Sequence, residues 1–460
     1  MSHPYLSKGY APLRQEFDGV DLEIEGTMPA GLAGTFYRIG PSPQFPPRES
    51  YNPLLGDGMV HAFRIANGRA SYRNRWVRTK RWQLEHQAGR ALFGTTGAPR
   101  DSDPSVAGIA TDGVANTNLV SHAGRFLALE EGNAPIEIDT VTLATQGPWS
   151  FDGRLPRNMT AHPKVDPVTG EMVLIANFEN FREPLSVGLH AVDASGAIVR
   201  STKISGSYPA LIHDFALTAD FIAIVFCPVT VSLKRAMEGR PVIAWEPELA
   251  TRVAIMRRQS GDLRWFEGPA CMAWHVMNAF NDKGHIVVDL CPQGAPMFPF
   301  TDGRPPDAAH AGQFLTRWEF DWSKPGAFVA RRLVSTPCEY PRIDERRTAQ
   351  PYRHGYLACI GGPGTADIFQ RGIGHYDHAN ERSDVWHAGA TCAVAEPVFA
   401  PGGTAEGHGF LLTNVYDEKS GTSHLAILDA HDVTSGPIAR LHLKHAMPVG
   451  FHGLWRVRCA

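Results

Sequence analysis

Twenty histidines are spread over the 460 residues, and four stand in a context suited to chemistry. His162 lies in MTAHPK, His213 in LIHDFALT, His275 in MAWHVMNAF and His452 in GFHGLW. Each sits at the edge of an apolar, strand-like run, where a rigid element can aim a side chain inward. Their separations are long, so only the fold can bring any of them together, and spacing alone does not select these four from the rest. The chain has no HExxH zinc motif. It also lacks a G-x-S-x-G elbow, a Walker A loop and a dinucleotide-binding glycine fingerprint at a strand–helix junction. For an enzyme, that leaves histidine and carboxylate as the available equipment.

The elements that must position such residues read as strands. Long helical periodicity is scarce, and 45 Gly and 35 Pro break the chain into short apolar runs. The segments 135–143 (PIEIDTVTL), 162–177 (HPKVDPVTGEMVLIAN), 189–199 (LHAVDASGAIV), 253–266 (VAIMRRQSGDLRWF) and 425–443 (LAILDAHDVTSGPIARLHL) each predict strand, tight turn, strand. Asp and Gly tolerate turn geometries that β-branched residues refuse. Many hairpins without strand–helix alternation imply an all-β sandwich, barrel or propeller. The recurring D-x-x-(T/S)-G turn resembles those between propeller strands, but its irregular spacing gives no blade count. The basic run 73–81, alternating with Trp76 and Trp82, predicts a strand with one solvated face. Proline-rich inserts at 39–55 and 291–306 are expected to be connections that cap one face. Nothing resembles an interdomain linker, so a single domain over 1–460 is expected.

Composition excludes several classes of function. Hydrophobic residues make up 43% and charged residues 20%, enough for a large core and too apolar for global disorder. A net charge of −3 supplies no basic surplus for nucleic acid. Seven cysteines, odd in number and never spaced CxxC, fit a reducing compartment and not a disulfide framework. The polar first residues lack a signal-peptide core, and no apolar stretch nears the ~20 residues of a membrane helix. A cytoplasmic protein, monomeric or dimeric, is expected.

Ten segments in order bring the chain close to a known family. They are GTFYRIGPSPQ (34–44), GDGMVHAFRI (56–65), VANTN (114–118), HAGRFLALEEG (122–132), TAHPKVDPVTGEM (160–172), HDFALT (213–218), WEPELATRVAIMRR (245–258), HVMNAF (275–280), EPVFAP (396–401) and FHGLW (451–455). Together they resemble the carotenoid cleavage oxygenases, and more closely the bacterial branch acting on stilbenes and phenylpropenes, over about residues 22–458. The resemblance implies a seven-bladed β-propeller with a cap of loops and short helices. It implies Fe(II) held by His162, His213, His275 and His452, and oxidative cleavage of a C=C bond by dioxygen into two carbonyl products. A hydrophobic alkene, of apocarotenoid, stilbene or phenylpropene type, would be the other reactant, with no organic cofactor.

The resemblance also places carboxylates behind three ligands: Glu131 for His213, Glu339 for His275 and Glu396 for His452. Thr117 matches a threonine whose methyl crowds an open iron position. Phe298 and Phe300, in PMFPF, match aromatics near the substrate tunnel. At two substrate positions the chain departs from the stilbene-cleaving pattern. Glu130 stands where those members carry a lysine, and Thr96 where they carry a tyrosine, so the pair that binds a substrate phenol is missing. Two rival readings remain: an iron-dependent polyene isomerase or isomerohydrolase of the same family, and a non-catalytic propeller that only binds.

Overall fold

The computed structural model describes residues 3–48, 51–95, 101–155, 157–177, 185–307, 312–361 and 369–457. Thirty-three strands and two short α-helices form there, so the all-β expectation holds. Two compact units divide the chain: one is 1–155, 367–375 and 384–460, the other 156–366 and 376–383.

In the first unit, Gly34–Pro41 is central to an antiparallel sheet with Gly58–Ala66, Arg69–Trp76 and Val20–Asp21 on one side and Gly453–Val457 on the other. A C-terminal strand thus finishes an N-terminal sheet, with Thr35 opposite Arg456. The converse also occurs: Glu23–Gly26 is added to Pro437–His442 at the end of a set that runs Val398–Pro401, Gly409–Asp417 and Thr422–Asp429. The third set is Asn118–His122, Arg125–Leu129, Ile136–Ile138 and Thr145–Pro148.

The second unit repeats the four-strand pattern. Its sets begin at Lys164–Val165, Phe215–Leu217 and Met272–Asp282, and each continues outward through three further antiparallel strands. Another pair in this unit is Cys338–Ile343 with His354–Ile360, Cys338 lying opposite Cys359. Among the described residues a short ribbon, Val229–Val231 with Ile243–Trp245, stands apart from these sets, and every pairing between the strands named is antiparallel.

The hairpins anticipated from sequence are present, and their turns explain why. In 166–170, 193–196 and 417–421 the leading aspartate accepts backbone N–H groups two residues on, from Val168 at 2.9 Å, Ser195 at 3.0 Å and Lys419 at 3.0 Å. This is the side-chain turn that aspartate offers in competition with a ladder. Inner strands are apolar on both faces, as in Phe221–Phe226, where every residue is buried; sheets covered on both sides need this.

The basic run differs from expectation. The strand stops at Trp76, and an α-helix spans Lys80–Ala88. Thr79 caps it by accepting the Trp82 N–H at 3.2 Å, and Gly89, at φ +66°, ends it in the left-handed conformation. The proline-rich inserts begin later than read, because Ile39 and Cys291 still belong to strands Gly34–Pro41 and His285–Gln293.

Within its own set, each candidate residue occupies a comparable place. His162, His213 and His452 immediately precede or nearly precede edge strands of their sets, and His275 lies within one. Thr117 directly precedes the edge strand Asn118–His122, Glu339 is on Cys338–Ile343, and Glu396 comes just before Val398–Pro401. These candidates therefore lie just before, or in the first few residues of, strands of their sets.

Candidate metal centre

Three histidines of the second unit converge. His162 Nε2 lies 3.0 Å from His213 Nε2, which lies 3.1 Å from His275 Nε2. Candidate ligand nitrogens of the three are all within 4.8 Å of one another. His275 reaches this point through an irregular strand: the register of Met272–Asp282 shifts between Ala273 and Val276, so Trp274 and His275 fall outside the ladder. Such bulges re-aim side chains.

The orientation of the His275 ring follows from its neighbour. Its Nδ1 lies 2.6 Å from Glu339 Oε2, and both groups are largely buried. An Nδ1–H donated to the carboxylate leaves Nε2 as a lone pair aimed at the other histidines. Glu339 is itself held by the backbone N–H of Tyr340, which sits at φ +51° beside a second register shift. The Tyr340 ring stacks on His275 at 5.3 Å. A non-glycine residue in the left-handed region costs conformational energy, and here it places a ring on a candidate ligand.

This cluster fits a metal ion. Imidazole lone pairs directed at one another repel, and a cation between them removes the repulsion. Metal–nitrogen bonds of about 2.0–2.1 Å set at right angles separate adjacent nitrogens by about 3 Å, the spacing found here. Neutral imidazoles suit iron among several first-row metals.

His452 belongs to the first unit. It is buried, and its Nδ1 lies 2.9 Å from Glu396 Oε1, while Glu396 Oε2 accepts the Gly453 N–H at 2.8 Å. The arrangement mirrors His275 with Glu339 and likewise leaves Nε2 to face a ligand. Arg38, wholly buried, donates to the carbonyls of Val449 at 2.8 Å and Phe451 at 2.7 Å and lies 3.8 Å from Glu396 Oε2. It therefore holds both the loop before His452 and the carboxylate behind it. Gly450, at φ +73°, has a left-handed backbone that disfavours any side chain, and a Cβ there would press on Ile39 and Arg38.

The remaining candidates are placed as follows. Thr117 is buried, and its Oγ1 donates to Asn116 Oδ1 at 2.9 Å. Glu131 is half-buried in the loop after Arg125–Leu129. Glu130 is committed to that region's backbone: Oε2 accepts the N–H groups of Val114 at 2.8 Å and Ala115 at 3.3 Å, and Oε1 accepts the Asn133 amide. Burial raises its pKa against these bonds. Phe298 packs against Trp274 at 5.6 Å, and Trp274 meets the His213 ring edge-on at 5.0 Å. Phe300 instead carries the Arg304 guanidinium 5.4 Å above its ring. Thr96 lies outside the described residues.

Sequence reasoning missed Arg38, Trp274 and Tyr340. An arginine inside the apolar run TFYRIG was a readable signal for the first. Trp274 adjoins the candidate ligand His275, but nothing local announces the backbone of Tyr340.

Comparison with known proteins now bears on these features. The sequence profile described as retinal pigment epithelial membrane protein matches residues 10–457. Lignostilbene-alpha,beta-dioxygenase isozyme III of Sphingomonas paucimobilis is 37% identical, covering 96% of this chain and 95% of that one. Isoeugenol monooxygenase of Pseudomonas nitroreducens is 34% identical over 98% of both. The crystal structure of Pseudomonas brassicacearum lignostilbene dioxygenase superposes with a TM-score of 0.93 at 33% identity, over 99% of each chain. Fold and likeness together define a C=C-cleaving dioxygenase, an oxidoreductase of the all-β propeller class. The chain belongs to the retinal pigment epithelial membrane protein family, the carotenoid cleavage oxygenases.

Proposed function

We propose that this protein holds one Fe(II) through His162, His213, His275 and His452 and cleaves the C=C bond of a stilbene- or phenylpropene-type alkene. The observation that carries the reading is the mutual approach of His162, His213 and His275 through their Nε2 atoms. His452 is proposed as the fourth ligand on the family resemblance, and its carboxylate partner orients it as Glu339 orients His275. The family assignment favours iron over other metals. Bound iron supplies binding and activation of dioxygen next to the alkene.

The chain's own residues set the conditions for that chemistry. Glu339 and Glu396 hold the protons on His275 Nδ1 and His452 Nδ1, so both rings present lone pairs. Glu131 is proposed to do the same for His213. Thr117 has its hydroxyl engaged by Asn116, so its methyl is the part available to crowd an open coordination position. Trp274 and Phe298 form an apolar wall beside His213 that excludes water and favours a flat hydrophobic substrate. Phe300, Glu130 and Thr96 mark the outer substrate region in this reading. The two compact units are read as parts of one catalytic domain, 1–460. No helix among the described residues is long and apolar enough to cross a membrane, and a cytoplasmic location is proposed.

The stilbene and phenylpropene classes rest on the relatives named lignostilbene dioxygenase and isoeugenol monooxygenase. Anaerobic iron reconstitution, followed by a panel of stilbenes, phenylpropenes and apocarotenoids with mass analysis of products, tests the proposal. Paired aldehyde or ketone products from a stilbene or phenylpropene are expected. Cleavage confined to apocarotenoids, or isomerised products without oxygen incorporation, would overturn it.

A further inference from the structure

The three histidine-bearing segments of the second unit share one buried carboxylate. Asp214 directly follows His213 and is 4% exposed. Its Oδ1 accepts the Phe215 N–H at 2.7 Å, and its Oδ2 accepts the N–H of Val276, the residue after His275, at 2.8 Å. The ammonium of Lys164, two residues past His162, lies 2.8 Å from Oδ1 and 3.0 Å from Oδ2. A hydroxyl adds a direct tie between two of the segments. Thr160 Oγ1 accepts the His162 N–H at 3.0 Å and donates to the His213 carbonyl at 3.1 Å.

We propose that Asp214, with Lys164 as its counter-ion, is a positioning residue that sets the spacing of the three ligand nitrogens. The inference rests on the reading of these histidines as metal ligands and deepens it. His162, His213 and His275 come from three different antiparallel sets, and among the described residues no ladder joins these three sets to one another. Ligands must be held to within roughly 0.5 Å for a metal site to be tight. Asp214 meets that need by bonding to a group within two residues of every one of the three. The strand bulge contributes, because it turns the Val276 N–H from the ladder toward Asp214 in the same irregularity that presents His275. A carboxylate is required there. Its two oxygens receive two backbone N–H groups and an ammonium, whereas an asparagine amide would turn one NH₂ toward a donor.

The test uses the full chain, with Co(II) as the probe because its visible absorption reports ligand geometry. Co(II) affinity is measured by chelator competition on the metal-free protein, together with the thermal midpoint of that metal-free protein. Asp214→Asn is expected to bind Co(II) about 10–100-fold more weakly with an altered absorption spectrum, the range seen when groups behind metal ligands are lost. Lys164→Arg, which keeps the cation, should stay near wild type. If Asp214→Asn does not fold, Lys164→Met carries the test, with weaker Co(II) binding again expected. Wild-type affinity and spectrum in a folded variant would overturn the proposal, and a lowered midpoint with unchanged affinity would assign Asp214 to stability alone. Failure of the unaltered protein to bind one Co(II) per chain would instead refute the metal reading beneath it.

Discussion

Replacing Glu339 with glutamine keeps the volume and one acceptor but removes the charge behind His275. The bond at stake is short, 2.6 Å from Oε2 to His275 Nδ1, and only 5% of Glu339 is exposed. A hydrogen bond to a charged group contributes roughly 1.5–3 kcal/mol and a neutral one roughly 0.5–1.5 kcal/mol, so the loss is about 1–1.5 kcal/mol. Because about 1.4 kcal/mol is a factor of ten, metal affinity should fall about 10-fold. It should fall further, toward about 100-fold, if the amide turns its NH₂ toward the ring and selects the other tautomer. The backbone N–H of Tyr340 makes that turn unfavourable, since it also needs an acceptor. Chelator competition with Fe(II) under anaerobic conditions measures the affinity, and thermal unfolding of the metal-free protein checks the fold. Unchanged affinity in a folded Glu339→Gln protein would refute the argument that this carboxylate fixes His275 for a metal.

Further expectations follow from other sites. Burial raises the Asp57 carboxyl to about 6, opposed by Arg81 and aided by Glu85. Its folded pKa thus exceeds the unfolded value of 3.8, so its contribution is fully present below about pH 4 and is lost as pH rises through about 6. Asp57→Asn should therefore gain on wild type by up to about 3 kcal/mol across that window in urea unfolding, and a pH-independent difference would contradict this. Gly113, at φ +79°, has no room for a methyl beside Glu130 Oε1. Gly113→Ala should cost roughly 1–3 kcal/mol in denaturant titration, and an unchanged midpoint would show that Glu130 does not hold this loop. With Glu130 and Thr96 in place of a lysine and a tyrosine, cleavage of a 4-hydroxystilbene should resemble that of its 4-methoxy and unsubstituted analogues. Strong selectivity for the free phenol, of the ~10⁴-fold kind a dedicated hydroxyl site produces, would sink that expectation.

Hairpins were legible because aspartate-led turns and apolar runs are local signals. Asp193 and Asp417 announce their turns within four residues, whatever the rest of the chain does. The helix Lys80–Ala88 was not legible, since the alternating basic and aromatic residues that precede it run on into Arg81 and Trp82 and its cap is a single threonine. The histidines could be named only through resemblance, because the segments carrying them are far apart in sequence and no spacing rule links them. The role of Glu130 shows a different limit. Its place in the family pattern suggested a substrate residue, whereas the bonds it accepts from Val114, Ala115 and Asn133 depend on how distant segments fold together and leave no local signal. Asp214 and Tyr340 were invisible for the same reason: each acts through a bond or ring contact fixed by a bulged strand.

The claim that four histidines hold one iron is tested most directly by metal analysis of anaerobically reconstituted wild type and the four single His→Ala proteins, with activity on a cleaved stilbene as a second readout. One Fe(II) per chain is expected in wild type, with Fe–N distances near ~2.0–2.2 Å by X-ray absorption. Reduced iron and no cleavage are expected in His162→Ala, His213→Ala, His275→Ala and His452→Ala alike. Full iron content and activity in His452→Ala would contradict the four-histidine account.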